Sequence, residues 1–149
     1  MEPGTSFQPV LSNLSPNDAA KVERVILLSG KLYYDLAKEA ASRELGQRVA
    51  LIRVEELCPF PFAQLRSILQ PFASANDIIW IQEEPRNQGP WTHVSGRIGT
   101  VLESLGLPVK KVRYMGRKES AVPATGVARW HAAEHASLVK GAFEGLQGS

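Results

Sequence analysis

The chemically suggestive residues of this chain begin with His131-Ala132-Ala133-Glu134-His135. On a helix, histidines four apart project from one face. They can share a tetrahedral zinc while the intervening glutamate serves as base for a metal-bound water. A catalytic zinc also needs a third protein ligand, and Glu144 is the sole acidic or imidazole side chain after His135. A histidine pair at this spacing arises equally on an ordinary solvated helix face, so a zinc hydrolase built on His131, Glu134 and His135 is the weaker alternative. Two acidic pairs, Glu55-Glu56 and Glu83-Glu84, each follow an apolar run. Paired carboxylates can move protons, but they more commonly form ion pairs at a seam between elements. Cys58 has no basic neighbour in sequence to make it a thiolate, and it reads as a small buried side chain. Ser29-Gly30-Lys31 sits where an apolar run gives way to a helix. A helix start can hold an anion, although a plain turn is the commoner reading. Neither G-x-x-x-x-G-K-[ST] nor G-x-G-x-x-G is present.

The elements that would carry these residues alternate. Val25–Leu28, Val49–Ile52 and Ile78–Ile81 are short continuous apolar runs with polar flanks, the signature of strands buried on both faces. Between them, Leu32, Leu36 and Ala40 recur every four residues, and Phe62, Leu65, Ile68 and Leu69 form a second helical stripe that Pro71 ends. The clearest helix opens after Gly89-Pro90. Trp91, Val94, Ile98, Val101, Leu102 and Leu105 line one face, and Gly106 closes it. Val109–Met115 reads as an edge strand carrying Lys110, Lys111 and Arg113, residues 116–126 as a loop, and residues 129–143 as a last helix. Residues 1–20, with Pro3, Gly4, Pro9 and Pro16, read as a plain linker, and residues 21–149 as one domain. Strands alternating with helices predict an α/β fold, a three-layer αβα sandwich around a mainly parallel sheet. In such sheets, ligands meet the loops at the carboxyl ends of the strands.

Composition sets outer bounds. The 149 residues suit one domain with a real core. With 17 basic and 15 acidic residues, the balance gives no support for a nucleic-acid partner. One cysteine excludes a disulfide framework within the chain. No apolar run approaches the roughly 20 residues that span a bilayer, and Met1–Gln8 does not look like a secretory signal.

Several stretches, taken together and in order, resemble a known family. They are Met1–Phe7, Ser29–Leu36, Arg53–Pro61 (R-V-E-E-L-C-P-F-P), Trp80–Trp91 (W-I-Q-E-E-P-R-N-Q-G-P-W), and Gly116-Arg117 followed by Ser120–Gly126, with His131 beyond. They are similar to the C-terminal domain of the thiamine-diphosphate-dependent 2-oxoglutarate dehydrogenase subunit. Val54, Glu56 and Cys58 lean toward the 2-oxoadipate branch, which serves lysine, hydroxylysine and tryptophan breakdown; the choice between the branches stays open. The resemblance implies a transketolase C-terminal-like fold within a large homodimer. It also implies thiamine diphosphate and magnesium in other domains, and acyl transfer to lipoyl-lysine on a dihydrolipoyl acyltransferase of a multienzyme complex. On this reading the chain alone has no catalytic, cofactor-binding or metal residues. Its partners are the other domains of its subunit and the dimer mate, with neither nucleic acid nor membrane. The compartment is the mitochondrial matrix in a eukaryote, with either lysine degradation or the tricarboxylic acid cycle as setting, and the cytoplasm in a bacterium.

A regulatory site is also expected. Arg117 opens a loop after the edge strand, Arg113 lies four residues earlier, and Arg86 follows the third strand in another end loop; in a parallel sheet these loops can converge at one edge. Guanidinium forks suit the phosphate of AMP or acetyl-CoA, and Gln82 and Gln88 could contact a base or ribose. The competing expectation is that Arg86 and Arg117 pair with Glu83 and Glu84 or with the dimer mate. A free-standing nucleotide or acyl-CoA binding module is the alternative function.

Overall fold

The computed structural model describes residues 9–107, 111–117 and 128–146, with backbone alone at 16, 117 and 128–133. The strands are β1 (Val10–Ser12), β2 (Arg24–Leu28), β3 (Val49–Val54), β4 (Asp77–Pro85) and β5 (Arg113–Arg117). The α-helices are α1 (Leu32–Ser42), α2 (Phe62–Leu69), α3 (Trp91–Leu105) and α4 (Ala128–Gly141). They build one mixed sheet in the order β1-β3-β2-β4-β5. The pairs β3–β2, β2–β4 and β4–β5 are parallel, and β1 runs antiparallel to β3.

The three apolar runs become the three central strands because both of their faces are covered. Val25, Leu27, Ala50, Ile52, Ile78 and Trp80 point into a core shared with α2 and α3, including Leu65, Leu69, Val94, Ile98 and Leu102. The alternate residues Ile26, Leu28, Val49, Leu51, Ile79 and Ile81 meet Leu32, Leu36 and Ala40 of α1 and Leu138 and Val139 of α4. Alternation along a strand sends successive side chains to opposite faces, and with both faces buried the runs Val25–Leu28, Val49–Ile52 and Ile78–Ile81 are apolar throughout. The result is the expected three-layer α/β sandwich. Gly106 ends α3 at φ 65°, with its N–H donating to the Glu103 carbonyl at 3.1 Å. That left-handed cap is cheap only for glycine.

Two expectations need correction. The stretch read as a plain linker is part of the fold from Pro9 onward. Val10 pairs with Val54 and is buried, Pro16–Lys21 forms a 3-10 helix, and Ala19 reaches the core. Three strand residues are too few to show a period, so the sequence pattern hid them. The edge strand also lies further along than expected. It starts at Arg113 and includes Gly116 and Arg117, which pair opposite Gln82 and Pro85 of β4. Residues 118–127, with the P-A-T-G motif, lie outside the described residues.

Candidate functional site at the carboxyl edge of the sheet

β2, β3 and β4 run parallel, so their carboxyl ends share one edge, which receives Ser29-Gly30, Glu55-Glu56 and the turn after Pro85. The organising residue there is Gln82, whose side chain is buried at 4% exposure. Its Oε1 accepts from Trp80 Nε1 at 3.0 Å and from the Trp91 backbone N–H at 2.9 Å. Its Nε2 donates to the carbonyls of Glu84 (3.2 Å), Pro85 (2.9 Å) and Gln88 (2.8 Å). One primary amide thus engages four backbone groups of the turn from 84 to 91 and the Trp80 indole. The expectation that Gln82 contacts a base or ribose is therefore corrected, because a buried amide with these partners is a structural hub. Gln88 contributes its backbone carbonyl to that hub.

A bulge splits the acidic pair. The β4–β5 ladder steps from Gln82–Gly116 to Pro85–Arg117, which leaves Glu83 and Glu84 out of register. Glu83 Oε1 lies 3.0 Å from His135 Nδ1, and His135 Nε2 lies 2.9 Å from Asp35 Oδ2 of α1. Glu84 folds instead over Gly89, where φ is 68° and an added Cβ would run into the Glu84 carboxyl. Desolvation of the part tucked under the turn, followed by the neighbouring Glu83 charge, pushes the Glu84 carboxyl above its ordinary range.

Arg86 is exposed at the tip of the turn, its guanidinium 5.4 Å from the Tyr114 ring centroid and 5.9 Å from that of Trp91. The two rings pack with centroids 5.2 Å apart. Arg53 lies over Tyr33 at 4.3 Å on the same edge. Cation–aromatic contacts of this kind hold a guanidinium in place without removing its N–H groups from solvent.

Arg113 is not at this edge. It begins β5 at the amino end, where its Nη2 donates to Asp77 Oδ2 at 2.7 Å, and Arg24 Nε donates to the same oxygen at 2.9 Å. Arg24 also donates to the Ala142 carbonyl at 2.8 Å. The expected convergence of Arg86 with Arg113 fails for this reason, and Arg117 closes β5 rather than opening a loop. The expected pairing of Arg86 with Glu83 is not what forms either, since Glu83 is turned toward His135. Cys58 is exposed rather than buried. In the H-x-x-E-H run, the His131 side chain lies outside the described residues, and both ring nitrogens of His135 face carboxylates. Among the described residues, no three His, Cys, Asp or Glu side chains are grouped to hold a metal ion.

The sequence reading missed the two carboxylates that matter most. Asp35 sits among ordinary helix residues, and Asp77 only precedes an apolar run. Neither position carries a local signal, because both partnerships span the fold.

The Gln82 turn and the split glutamate pair belong to the Q-E-E-P-R-N-Q-G-P-W segment, and sequence comparison covers that segment with the rest. The model of the family described as "2-oxoglutarate dehydrogenase C-terminal" matches residues 1–143. The chain belongs to this family. Among curated relatives it is 40% identical over 144 residues to the 2-oxoadipate dehydrogenase complex component E1 of Danio rerio, covering 96% of this chain and 15% of that protein. It is 40% identical over 146 residues to the human protein of the same name, with 96% and 15% covered. The 2-oxoglutarate dehydrogenase E1/E2 component of Corynebacterium glutamicum is 36% identical over 140 residues, with 94% and 11% covered. The chain therefore corresponds to the C-terminal domain of such E1 components and spans about 15% of the length of the relatives from fish and human. Relatives occur in eukaryotes and bacteria. No helix among the described residues is long and apolar enough to cross a membrane.

Proposed function

We propose that this domain works as the structural and regulatory C-terminal part of a thiamine-diphosphate-dependent 2-oxoacid dehydrogenase subunit, and that it is not catalytic alone. The reaction served is decarboxylation of 2-oxoglutarate or 2-oxoadipate, with acyl transfer to lipoyl-lysine on a dihydrolipoyl acyltransferase. The observation that carries this reading is the family match over residues 1–143, set against a carboxyl edge whose polar groups are spent largely on one another. Thiamine diphosphate with magnesium needs oxygen ligands converging on the metal. Among the described residues, Glu83 and Asp35 each face a nitrogen of His135, and Gln82 is filled by its own turn, so these side chains do not fit the pair. When bound elsewhere in the subunit, the cofactor would supply the carbanion chemistry. This domain's residues would supply packing against the other domains and the dimer mate, in the mitochondrial matrix or the bacterial cytoplasm.

In the regulatory role, Arg86 is the anchor for an anionic effector of the AMP or acetyl-CoA class. Its stacked guanidinium supports that assignment, as does its place at the carboxyl edge. The decisive assay supplies the isolated chain with thiamine diphosphate, magnesium, 2-oxoadipate or 2-oxoglutarate, and an artificial electron acceptor. Turnover stays at background. Activity that scales with chain concentration and survives repurification would overturn the assignment.

A further inference from the structure

Among the described side chains, two unlike kinds of contact hold α4. Its second half buries Leu138 and Val139, continued by Ala142 and Phe143, against the sheet. Arg24 adds a hydrogen bond to the Ala142 carbonyl at 2.8 Å. Ahead of Leu138 the described side chains are different: Glu134 and His135 are half-buried, and Ala136 and Ser137 are exposed. The fastening there is polar, through His135 Nε2 to Asp35 at 2.9 Å and His135 Nδ1 to Glu83 at 3.0 Å.

A carboxylate only accepts hydrogen bonds, and a neutral imidazole carries a single N–H. Both contacts therefore exist together only for the imidazolium. In the neutral ring, one nitrogen lone pair would face a carboxylate oxygen. Among the described residues, the other charged groups around the ring are few. From α1 come Lys38 and Glu39, which line the same groove of about 300 Å³, and Glu39 is already held by Arg43 at 2.8 Å. From α4 come Glu134 beside the ring and Lys140 across the groove. β4 contributes Glu83, and β5 meets α4 through Met115. The two carboxylates in direct contact outweigh the two lysines at the groove wall, because Coulomb energy falls with distance.

We infer that His135 is a proton-operated clasp, which fastens the front half of α4 to α1 and to the β4 bulge when the ring carries two protons and releases it when one proton leaves. The apolar second half stays docked in both states, so the opening is local. It would loosen residues 134–137 and free Glu83 at the carboxyl edge.

The test is amide hydrogen exchange on the 149-residue chain at about pH 5.5 and about pH 8.5, on either side of the usual imidazole range, corrected for intrinsic exchange rates. The readout is protection of amides 134–137 relative to amides 139–142. The ratio falls roughly threefold at the higher pH, the scale of one partly exposed ionic contact. His135→Gln holds the low ratio at both pH values, and His135→Lys, a permanent cation, gives a ratio independent of pH. Asp35→Asn and Glu83→Gln leave the apolar half of α4 intact, and each abolishes the pH response. A parent ratio that does not change with pH overturns the clasp. A response that persists in His135→Gln, or in either carboxylate variant, assigns it to another group and overturns it equally.

Discussion

At the amino end of the sheet, Arg24 and Arg113 close on one carboxylate, Asp77, and a nearly buried guanidinium ties β2 to the end of α4. At the carboxyl end, the charges stay half in solvent, on a bulge and a turn, and the buried polar work is done by a neutral amide, Gln82. Burying a charge is costly unless its partners are fixed, whereas an amide can saturate four or five backbone groups at lower desolvation cost. The amino end is thus a lock, and the carboxyl end is a scaffold that displays Arg86, Trp91, Tyr114 and two glutamates. Displayed groups on turns at strand ends are where ligands and partners meet α/β sheets.

The largest effect expected from this contrast is at the hub. Gln82→Ala strands the Trp80 and Trp91 donors and three carbonyls. Each buried unsatisfied group costs roughly 1–3 kcal/mol, with partial relief from water, so a loss of about 3–5 kcal/mol is expected in denaturant unfolding. That is a large share of a typical stability of about 5–15 kcal/mol. A Gln82→Ala chain as stable as the parent would make Gln82 a ligand-facing residue after all.

Asp77→Asn tests the lock and should cost less. Breaking a buried ion pair costs about 3–5 kcal/mol, and Asp77, with a quarter of its side chain exposed, deserves a discount to about 2 kcal/mol. The pH dependence follows from the shift. Burial pushes the Asp77 carboxyl up, but the hydrogen bond and charge of Arg113, with those of Arg24, more than offset this and leave it below its ordinary value. A carboxylate depressed in the folded state adds stability above its unfolded value of about 3.9, and that stability drains as pH falls through the folded value. Unfolding curves of parent and Asp77→Asn should therefore differ fully at neutral pH and converge below about pH 4. A difference that is constant down to pH 2 would remove the ionic account.

Gly89 and Gly106 offer a finer comparison, since both sit at φ near 65° but in different surroundings. An alanine in left-handed backbone costs roughly 1–2 kcal/mol. At Gly106 nothing lies within 4 Å of a new Cβ, whereas at Gly89 it meets the Glu84 side chain. Gly89→Ala should thus lower the melting temperature more than Gly106→Ala. Adding Glu84→Ala should recover part of the excess, because the carboxyl leaves while the Glu84 Cβ, at 2.9 Å, remains. Equal losses at the two glycines would mean that Glu84 swings aside freely.

The layers and their order were legible because burial on two faces writes itself into the sequence as unbroken apolar runs, as in Val25–Leu28 and Ile78–Ile81. β1 was not legible, since three residues of an antiparallel edge carry no period. The candidate site was legible only as a segment. The Trp80–Trp91 stretch marked the right turn, yet the roles inside it were misassigned: Gln82 looked like a contact residue and proved to be the hub. Arg113 looked like a neighbour of Arg86 because a strand's start and end are close in sequence, but they lie at opposite ends of a parallel sheet. Asp35 and Asp77 gave no signal, because a pair separated by 100 residues, as His135 and Asp35 are, leaves nothing local to read.

The smallest stability effect and the sharpest functional one are expected at Arg86. An exposed cation–aromatic contact is worth about 0.5–1 kcal/mol, so Arg86→Ala should melt close to the parent. If the carboxyl end binds an anionic effector, the same substitution removes its paired, charge-assisted hydrogen bonds, worth about 1.5–3 kcal/mol. That is roughly a tenfold to hundredfold loss of affinity for AMP or acetyl-CoA in calorimetric titration. Arg113→Ala is the control that makes the comparison of the two ends decisive. It opens the lock on Asp77 and should lower the melting temperature while leaving any effector affinity unchanged, because it lies at the other end of the strands. Reversal of that pattern, with Arg113 governing affinity and Arg86 governing stability, would exchange the roles of the two ends. A parent chain that binds neither ligand at millimolar concentration would remove the effector role from this chain and leave Arg86 as a contact for the rest of its subunit.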